Sequence, residues 1–320
     1  MTFVSILIAL IFEQFRPLPH RNPVYAGAAA MVRGAERNFN AGEHRHGIAA
    51  WCAVVLGAGV VVGLLEWGSI TLGKSVALVF GVVVLYFTLG FRQFSHPFTE
   101  IQIALESGNL GRAREVLTDW MRESQPEFTA ERLTAAEVAR HAIERALVLA
   151  HRHVFGVFFW YVLLGPAGAV AYRLADFVAR TWSREALGPF GNFSRAAFGV
   201  MDWVPARMTA IGFAIVGNFE DAMYAWRNFA ARWADPLAGV LLSAGGGALG
   251  VRLGGGTDTP IQQVEVPVAG AEFDTQPVFD QPPGTDVDPG HMRSAVGMVW
   301  RAMVLWLILL LLLSIANWIA

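Results

Sequence analysis

The sequence predicts an all-α, polytopic integral membrane protein with re-entrant or half-spanning helices and a small cytoplasmic helical insertion. Three observations predict it. Charged residues make up 16% of the 320-residue chain and apolar residues 54%, with a mean hydropathy of +0.44, where soluble domains carry about 25% charge. Ile48–Leu65 is an 18-residue stretch without a charge, and Ser75–Phe91 returns after a short turn containing Lys74, so the two form a transmembrane hairpin. Val299–Ala320 is almost pure Leu, Ile, Val and Trp beyond Arg301, and spans at the other end of the chain.

Between these anchors the elements follow in order. Thr2–Phe12 is apolar but lacks a basic leader region and a small-residue cleavage site, so it reads as a segment entering the membrane partway and not as a signal peptide. Glu13–Gly47, with prolines at 17, 19 and 23, reads as a polar loop. Arg92–Arg152 reads as a soluble insertion of two amphipathic helices, Thr99–Met121 and Thr134–Leu149, separated by a polar link with Pro126 as breaker. Arginines crowd both flanks of the first hairpin, whereas its outer turn has only Lys74, which puts both flanks in the cytoplasm. Val154–Ala171 begins as a third span, but Gly165-Pro166 interrupts it. Arg173, Arg180, Arg184 and Arg195 follow, so a hairpin doubling back at Gly165 keeps them inside.

The run Phe198–Gly217 holds Asp202-Trp-Val-Pro-Ala-Arg207, an acid and a base five positions apart in otherwise apolar sequence. Asp202 is placed as an N-cap with Pro205 in the first turn. The helix then ends at Gly217-Asn218 after about 22 Å, short of the roughly 30 Å hydrocarbon core. A charge at the mouth of a half-inserted helix is a candidate binding site; a structural ion pair is the alternative. Beyond it, Phe219, Met223, Trp226, Ala230 and Trp233 recur at helical spacing, the pattern of an interfacial helix or of one packed on the protein's own core. Leu237–Gly256 is glycine-rich, and Thr257–Pro289, acidic and proline-rich without apolar period, reads as a disordered loop.

These readings divide the chain into 1–91 (membrane segment and hairpin), 92–152 (cytoplasmic insertion), 153–256 (membrane-embedded core), 257–290 (loop) and 291–320 (terminal helix). The net charge of −2 gives no reason for nucleic-acid binding, and the lone Cys52 excludes an internal disulfide or a thiolate metal site. His44/His46 and His151/His153 stand two apart, which on a helix turns their rings about 200° from one another, so no metal site is assigned. A phosphate-binding loop, a zinc-protease helix and a nucleophile elbow are all absent from the sequence.

Five segments in order, ALESGNLGRAREVL (104–117), LTAAEVARHAIERAL (133–147), FFWYVLLGPAGAVAYR (158–173), DWVPARMTA (202–210) and GGALGVRLGG (246–255), resemble the CobD/CbiB family of cobalamin-biosynthesis membrane proteins. LPHRNPV at 18–24 resembles that family's N-terminal motif with two residues inserted. The resemblance implies a bacterial inner-membrane protein. Its implied activity is ATP-dependent amide formation, joining aminopropanol phosphate or aminopropanol to the propionate carboxylate of adenosylcobyric acid. It implies ATP and Mg²⁺ as cofactors and a corrinoid substrate, with the bilayer as partner; a homo-oligomer is compatible with it. Onto the matched motifs it carries Asp202 and Arg207 as catalytic residues, and Arg173, Arg252, Glu13, His20 and Asp176 as substrate-binding residues, with no metal ligands assigned. The chain departs from the family's pattern at 149–156, where it reads LAHRHVFG, at Asp176–Ala179, and at Asp202, where the family carries Asn. The opening LIALIFEQF resembles AmpE, an inner-membrane protein linked to β-lactamase induction. Two readings therefore stand: an enzyme of corrinoid assembly, or a non-catalytic AmpE-like regulator.

Overall fold

A computed structural model describes residues 2–15, 23–40, 43–182, 188–254 and 281–319, with side chains as far as Ala316. The regular elements among them are helices, and extended backbone pairs at one isolated bridge, Val251 with Thr285. Five helical runs are long and apolar enough to cross a membrane: His44–Leu72, Lys74–Glu106, Ala135–Trp182, Pro189–Val216 and His291–Ala316. The protein is a multi-pass, all-α membrane protein. Its chain divides into two compact units, Met1–Ser95 with Leu149–Pro205 and Trp306–Ala320, and His96–Val148 with Ala206–Leu305.

In the first unit, α1 (Thr2–Phe15) buries Ser5, Ile6, Ala9, Leu10 and Glu13, one face at helical spacing. The loop expected over Glu13–Gly47 is instead largely helical. Pro23 opens α2 (Pro23–Phe39), a position where its missing N–H is harmless, and five alanines carry the helix on. Helix α3 (His44–Trp51) passes through a π-helical turn, Cys52–Leu56, into α4 (Gly57–Leu72). Gly73, at φ 134°, turns the chain into α5 (Lys74–Thr88), completing the expected hairpin.

The stretch Ala135–Trp182 is longer than any single crossing. Helix α8 (Ala135–Ala150) continues through a second π-turn, His151–Phe155, into α9 (Gly156–Trp182). Leu164 (φ −128°) and Gly165 (φ 63°) leave helical geometry, and there the chain doubles back. A Cβ on Gly168 would strike the Trp160 carbonyl, and one on Gly156 the Tyr172 ring. Both pairs are centred on position 164, which defines two antiparallel arms. The hairpin expected at Gly165-Pro166 is present. Only glycine adopts that φ without strain, and Pro166 then starts the second arm at a position needing no N–H donor.

Helix α10 (Pro189–Val216) corrects the expectation of a short half-inserted helix beginning at Trp203. Asp202 lies in its middle and is not an N-cap. Pro205 is tolerated inside it because Trp160 answers the lost bond: the Met201 carbonyl, four residues before the proline, accepts from Trp160 Nε1 at 3.3 Å.

In the second unit, the single helix expected over Thr99–Met121 is two. Helix α6 (Phe91–Glu106) stops at Gly108, φ 74°, and Asn109 caps α7 (Leu110–Arg122), its side chain accepting from the Arg112 N–H at 3.0 Å. After α10, α11 (Phe219–Phe229) turns Ala222, Ala225 and Phe229 inward while Phe219 is exposed. Trp226 packs on a core of Ala210, Ala230, Val240 and Ala244. Of the two expectations for this helix, packing on the protein's own core describes its buried face.

Helix α12 (Pro236–Leu249) is buried along Gly239–Ala248. Asp235 caps it, accepting from Leu237 N–H at 3.0 Å, and Gly250 closes it at φ 69°. The expected disordered loop is corrected over its last nine residues. Thr285 N–H donates to the Gly250 carbonyl at 3.0 Å, and Arg252 N–H to Thr285 at 2.8 Å. Residues 257–280 of that expectation lie outside the described residues. Helix α13 (His291–Ile319) closes the chain as foreseen, eight residues longer at its start.

Candidate functional site

The densest buried polar group lies in the first unit, on the α9 hairpin. Within its π-turn, His151 is wholly buried and places Nε2 at 2.8 Å from Asp202 Oδ1. Tyr172, on the returning arm, donates its hydroxyl to the same oxygen at 2.8 Å. Two donors converging on one carboxylate oxygen hold His151 with its proton on Nε2 and fix Asp202 as acceptor. The π-turn aims the histidine pair apart, as the spacing requires: His153 Nδ1 instead donates to the Gly90 carbonyl at 3.3 Å.

One turn beyond Tyr172, the wholly buried Asp176 accepts from Arg180 Nη2 at 2.6 Å and Arg173 Nη1 at 3.3 Å, both on Oδ2. Arg152 Nη1 stands 3.9 Å from its other oxygen. Arg152 also lies within electrostatic reach of Tyr172 and Asp202, which joins the two clusters. Glu13, near the end of α1, is buried, and its Oε1 accepts from the Arg92 backbone N–H at 3.4 Å. Burial pushes its carboxyl up to about 7 against the opposing pull of the Arg92 and Phe91 N–H groups and the Arg173 and Arg92 charges.

Of the residues assigned from sequence, the fold thus gathers Asp202, Arg173, Asp176 and Glu13 in the first unit. Arg207, on α10, and Arg252 belong to the second unit. Arg252 grips Asp286 through Nε at 3.2 Å and Nη2 at 3.0 Å, beside a cavity of about 640 Å³ lined by Glu220, Asp221 and Tyr224. His20 lies outside the described residues. Sequence reasoning missed His151, Tyr172, Arg152 and Arg180. Tyr172 and Arg180 each sit four residues from Asp176, so helical periodicity around it could have found them. His151 meets Asp202 across 51 positions, for which no local signal exists.

Among the described residues no three His, Cys, Asp or Glu side chains gather to hold a metal. A Mg²⁺ at this site would draw most of its ligands from phosphate oxygens and water, its usual habit in nucleotide sites. The guanidinium groups fit phosphate or carboxylate.

A multi-pass all-α membrane protein with a carboxylate- and arginine-rich polar site inside a broken-helix hairpin is the class so defined. The chain belongs to the CobD/CbiB family: the family model, described as CobD/Cbib protein, matches residues 2–278. A protein of Stutzerimonas stutzeri (strain A1501) named Cobalamin biosynthesis protein CobD is 29% identical over 317 residues, covering 97% of each chain. Its namesake in Chromobacterium violaceum is 31% identical over 308 residues, 93% of this chain and 92% of the other. One from Leptospira interrogans is 25% identical over 262 residues, 79% of this chain and 81% of the other. No solved structure matches the chain. These relatives give the AmpE-like regulator reading no specific support.

Proposed function

We propose that the protein acts in cobalamin biosynthesis at the bacterial inner membrane, as an adenosylcobinamide-phosphate synthase of the CobD/CbiB type. Membership of the family and the names of its relatives support the pathway. The observation that carries the site is the Tyr172–Asp202 hydrogen bond, because it joins two segments, 158–173 and 202–210, that resemble the family independently in sequence. The reaction would form an amide between an aminopropanol and the propionate carboxylate of adenosylcobyric acid. ATP, when bound with Mg²⁺, supplies the activation that makes a carboxylate oxygen displaceable by an amine. Arg173 in the first unit and, separately, Arg207 and Arg252 in the second would each hold an anionic group, and a cation so placed neutralises charge that develops on an activated carboxylate. Asp202, held by His151 and Tyr172, keeps the polar interior of the hairpin in one arrangement.

The gene should restore cobinamide-dependent growth to a bacterial strain lacking its own synthase. Arg207→Ala should abolish that rescue at unchanged membrane levels, since loss of one charge-assisted contact costs about 1.5–3 kcal/mol, roughly tenfold or more in rate or binding. An expressed wild-type protein that fails to rescue would overturn the synthase reading. Rescue by Arg207→Ala would leave the reading standing and remove Arg207 from the site.

A further inference from the structure

Helix α2 carries Arg33, Glu36 and Arg37, too many charges for a segment that crosses a membrane, yet it leaves Val24, Met31 and Phe39 exposed at 49%, 41% and 41%. At about 100° per residue, Val24, Ala28, Met31, Ala35 and Phe39 fall in one stripe about 80° wide. The side that faces the protein is a different one. Ala29 and Val32 are buried, and Tyr25 sets its ring 5.2 Å from that of Phe177 at an interplanar angle of 69°. These three residues point about 90° away from the centre of the stripe. Arg33 and Arg37, both exposed, stand about 160° from it on either side of the opposite pole. The helix thus has three sectors: protein on one flank, apolar surface at right angles to it, and charge across from that surface.

Its neighbours orient these sectors. Helix α2 packs on α3, on the π-turn Cys52–Leu56 and on α9. It ends at Phe39, and the first spanning run opens at His44. Phe177 belongs to the last turns of the returning arm of α9. Helix α2 is therefore held where one spanning helix begins and another ends, at the edge of the hydrocarbon. A helix upright among acyl chains has no place for two arginines across from its apolar side. One wholly in water gains nothing from an exposed apolar stripe. A helix lying flat at the boundary needs all three sectors: apolar side down, charge up, and one flank against the bundle.

We infer that α2 lies flat on the membrane surface, with its Val24–Phe39 stripe seated in lipid at the boundary of headgroups and acyl chains and with Arg33 and Arg37 turned to water. The side of the membrane is the arginine-rich one, cytoplasmic by the positive-inside bias. The inference stands on the geometry of the helix and does not depend on the biosynthetic reading.

The test uses the full-length protein carrying Cys52→Ala, with one new cysteine at a time, in phosphatidylcholine nanodiscs. Met31→Cys, Phe39→Cys, Arg37→Cys and, as a reference within a span, Val60→Cys each receive an environment-sensitive fluorophore. The quenchers are phosphatidylcholine with a nitroxide near the headgroup, the same lipid with a nitroxide near the acyl terminus, and aqueous iodide. Labels at Met31→Cys and Phe39→Cys should be quenched at least about twofold more by the shallow nitroxide than by the deep one, as fits a seat roughly 5–10 Å into the leaflet. The label at Val60→Cys should show the reverse order. Arg37→Cys should respond to iodide and little to either lipid. Should Met31→Cys fail to elute as a single species, Phe39→Cys, at the exposed end of the helix, decides alone. Stronger quenching of the stripe by the deep nitroxide would mean an upright helix and overturns the proposal. So does equal quenching of the stripe and Arg37→Cys by lipid. Protection of the stripe from both nitroxides and iodide would give it to a protein partner or a second copy of this chain, and overturns the proposal as well.

Discussion

The α4–α5 hairpin and the α9 hairpin are both apolar, and both turn at a glycine of positive φ, Gly73 at 134° and Gly165 at 63°. Their side chains go to different places. Helix α4 leaves Val60, Leu64, Trp67 and Leu72 exposed, a surface suited to acyl chains. The α9 hairpin buries Phe158, Tyr161, Ala169, Tyr172 and Val178 and carries Arg173, Asp176 and Arg180. In the first hairpin any aliphatic of adequate hydrophobicity will serve, because lipid is an undemanding neighbour. In the second the buried His151, Tyr172 and Asp176 are answered by side-chain partners, because burial removes them from water. Tolerance to substitution should therefore differ sharply between them.

The largest difference is expected at His151. Replacing it by Ala removes one of two donors to the buried Asp202 oxygen, and breaking a buried pair of this kind costs about 3–5 kcal/mol. Denaturant unfolding of the purified protein in detergent should show that loss; a change below about 1 kcal/mol would mean that the hairpin interior is as permissive as α4.

Glu13 comes next. Its folded carboxyl, near 7, lies above its ordinary 4.5, so the folded state holds the proton more tightly than the unfolded chain. Its contribution is fully present below about pH 4.5 and is lost as pH rises through 7, by at most about 3 kcal/mol. Thermal unfolding between pH 4.5 and 7.5 should show a falling midpoint in wild type and a flatter profile in Glu13→Gln. Identical slopes would show that Glu13 does not carry the dependence.

At the hairpin tip, Gly165→Val forces a branched side chain into a left-handed conformation facing the Glu66 carboxylate, at a cost of about 1–3 kcal/mol. Gly57→Ala in α4, where a Cβ meets nothing within 4 Å, should change stability by less than about 1 kcal/mol. Smallest of all, Leu64→Ala on the exposed face of α4 should stay within about 0.5 kcal/mol. A loss at Leu64 equal to that at Gly165 would erase the contrast.

This contrast also explains what could be read from the sequence. Hydropathy reports contact with lipid, so Ile48–Leu65, Ser75–Phe91 and the terminal helix were legible, and the Gly-Pro pair marked the turn at 165. Helix α2 was not, because its Arg and Glu residues mask a stretch whose alanines carry the helical propensity. Asp202 was legible as a special residue but not as a mid-helix one. A capping acid and an acid paired with a distant histidine look alike in one dimension, and the Trp160 indole that permits Pro205 inside the helix lies 41 positions from the carbonyl it bonds. The acids and Arg173 of the polar site were named from motifs. Their partners His151 and Arg152 lie on a π-turn whose register departs from the 3.6-residue repeat.

The pairing of Gly250–Arg252 with Thr285, reinforced by the Arg252–Asp286 fork, acts as a clasp on the stretch between them. It ties Thr285 and Asp286 to the exit of α12. The close of α12 therefore depends on a contact from 35 residues further along the chain as well as on the conformation of Gly250.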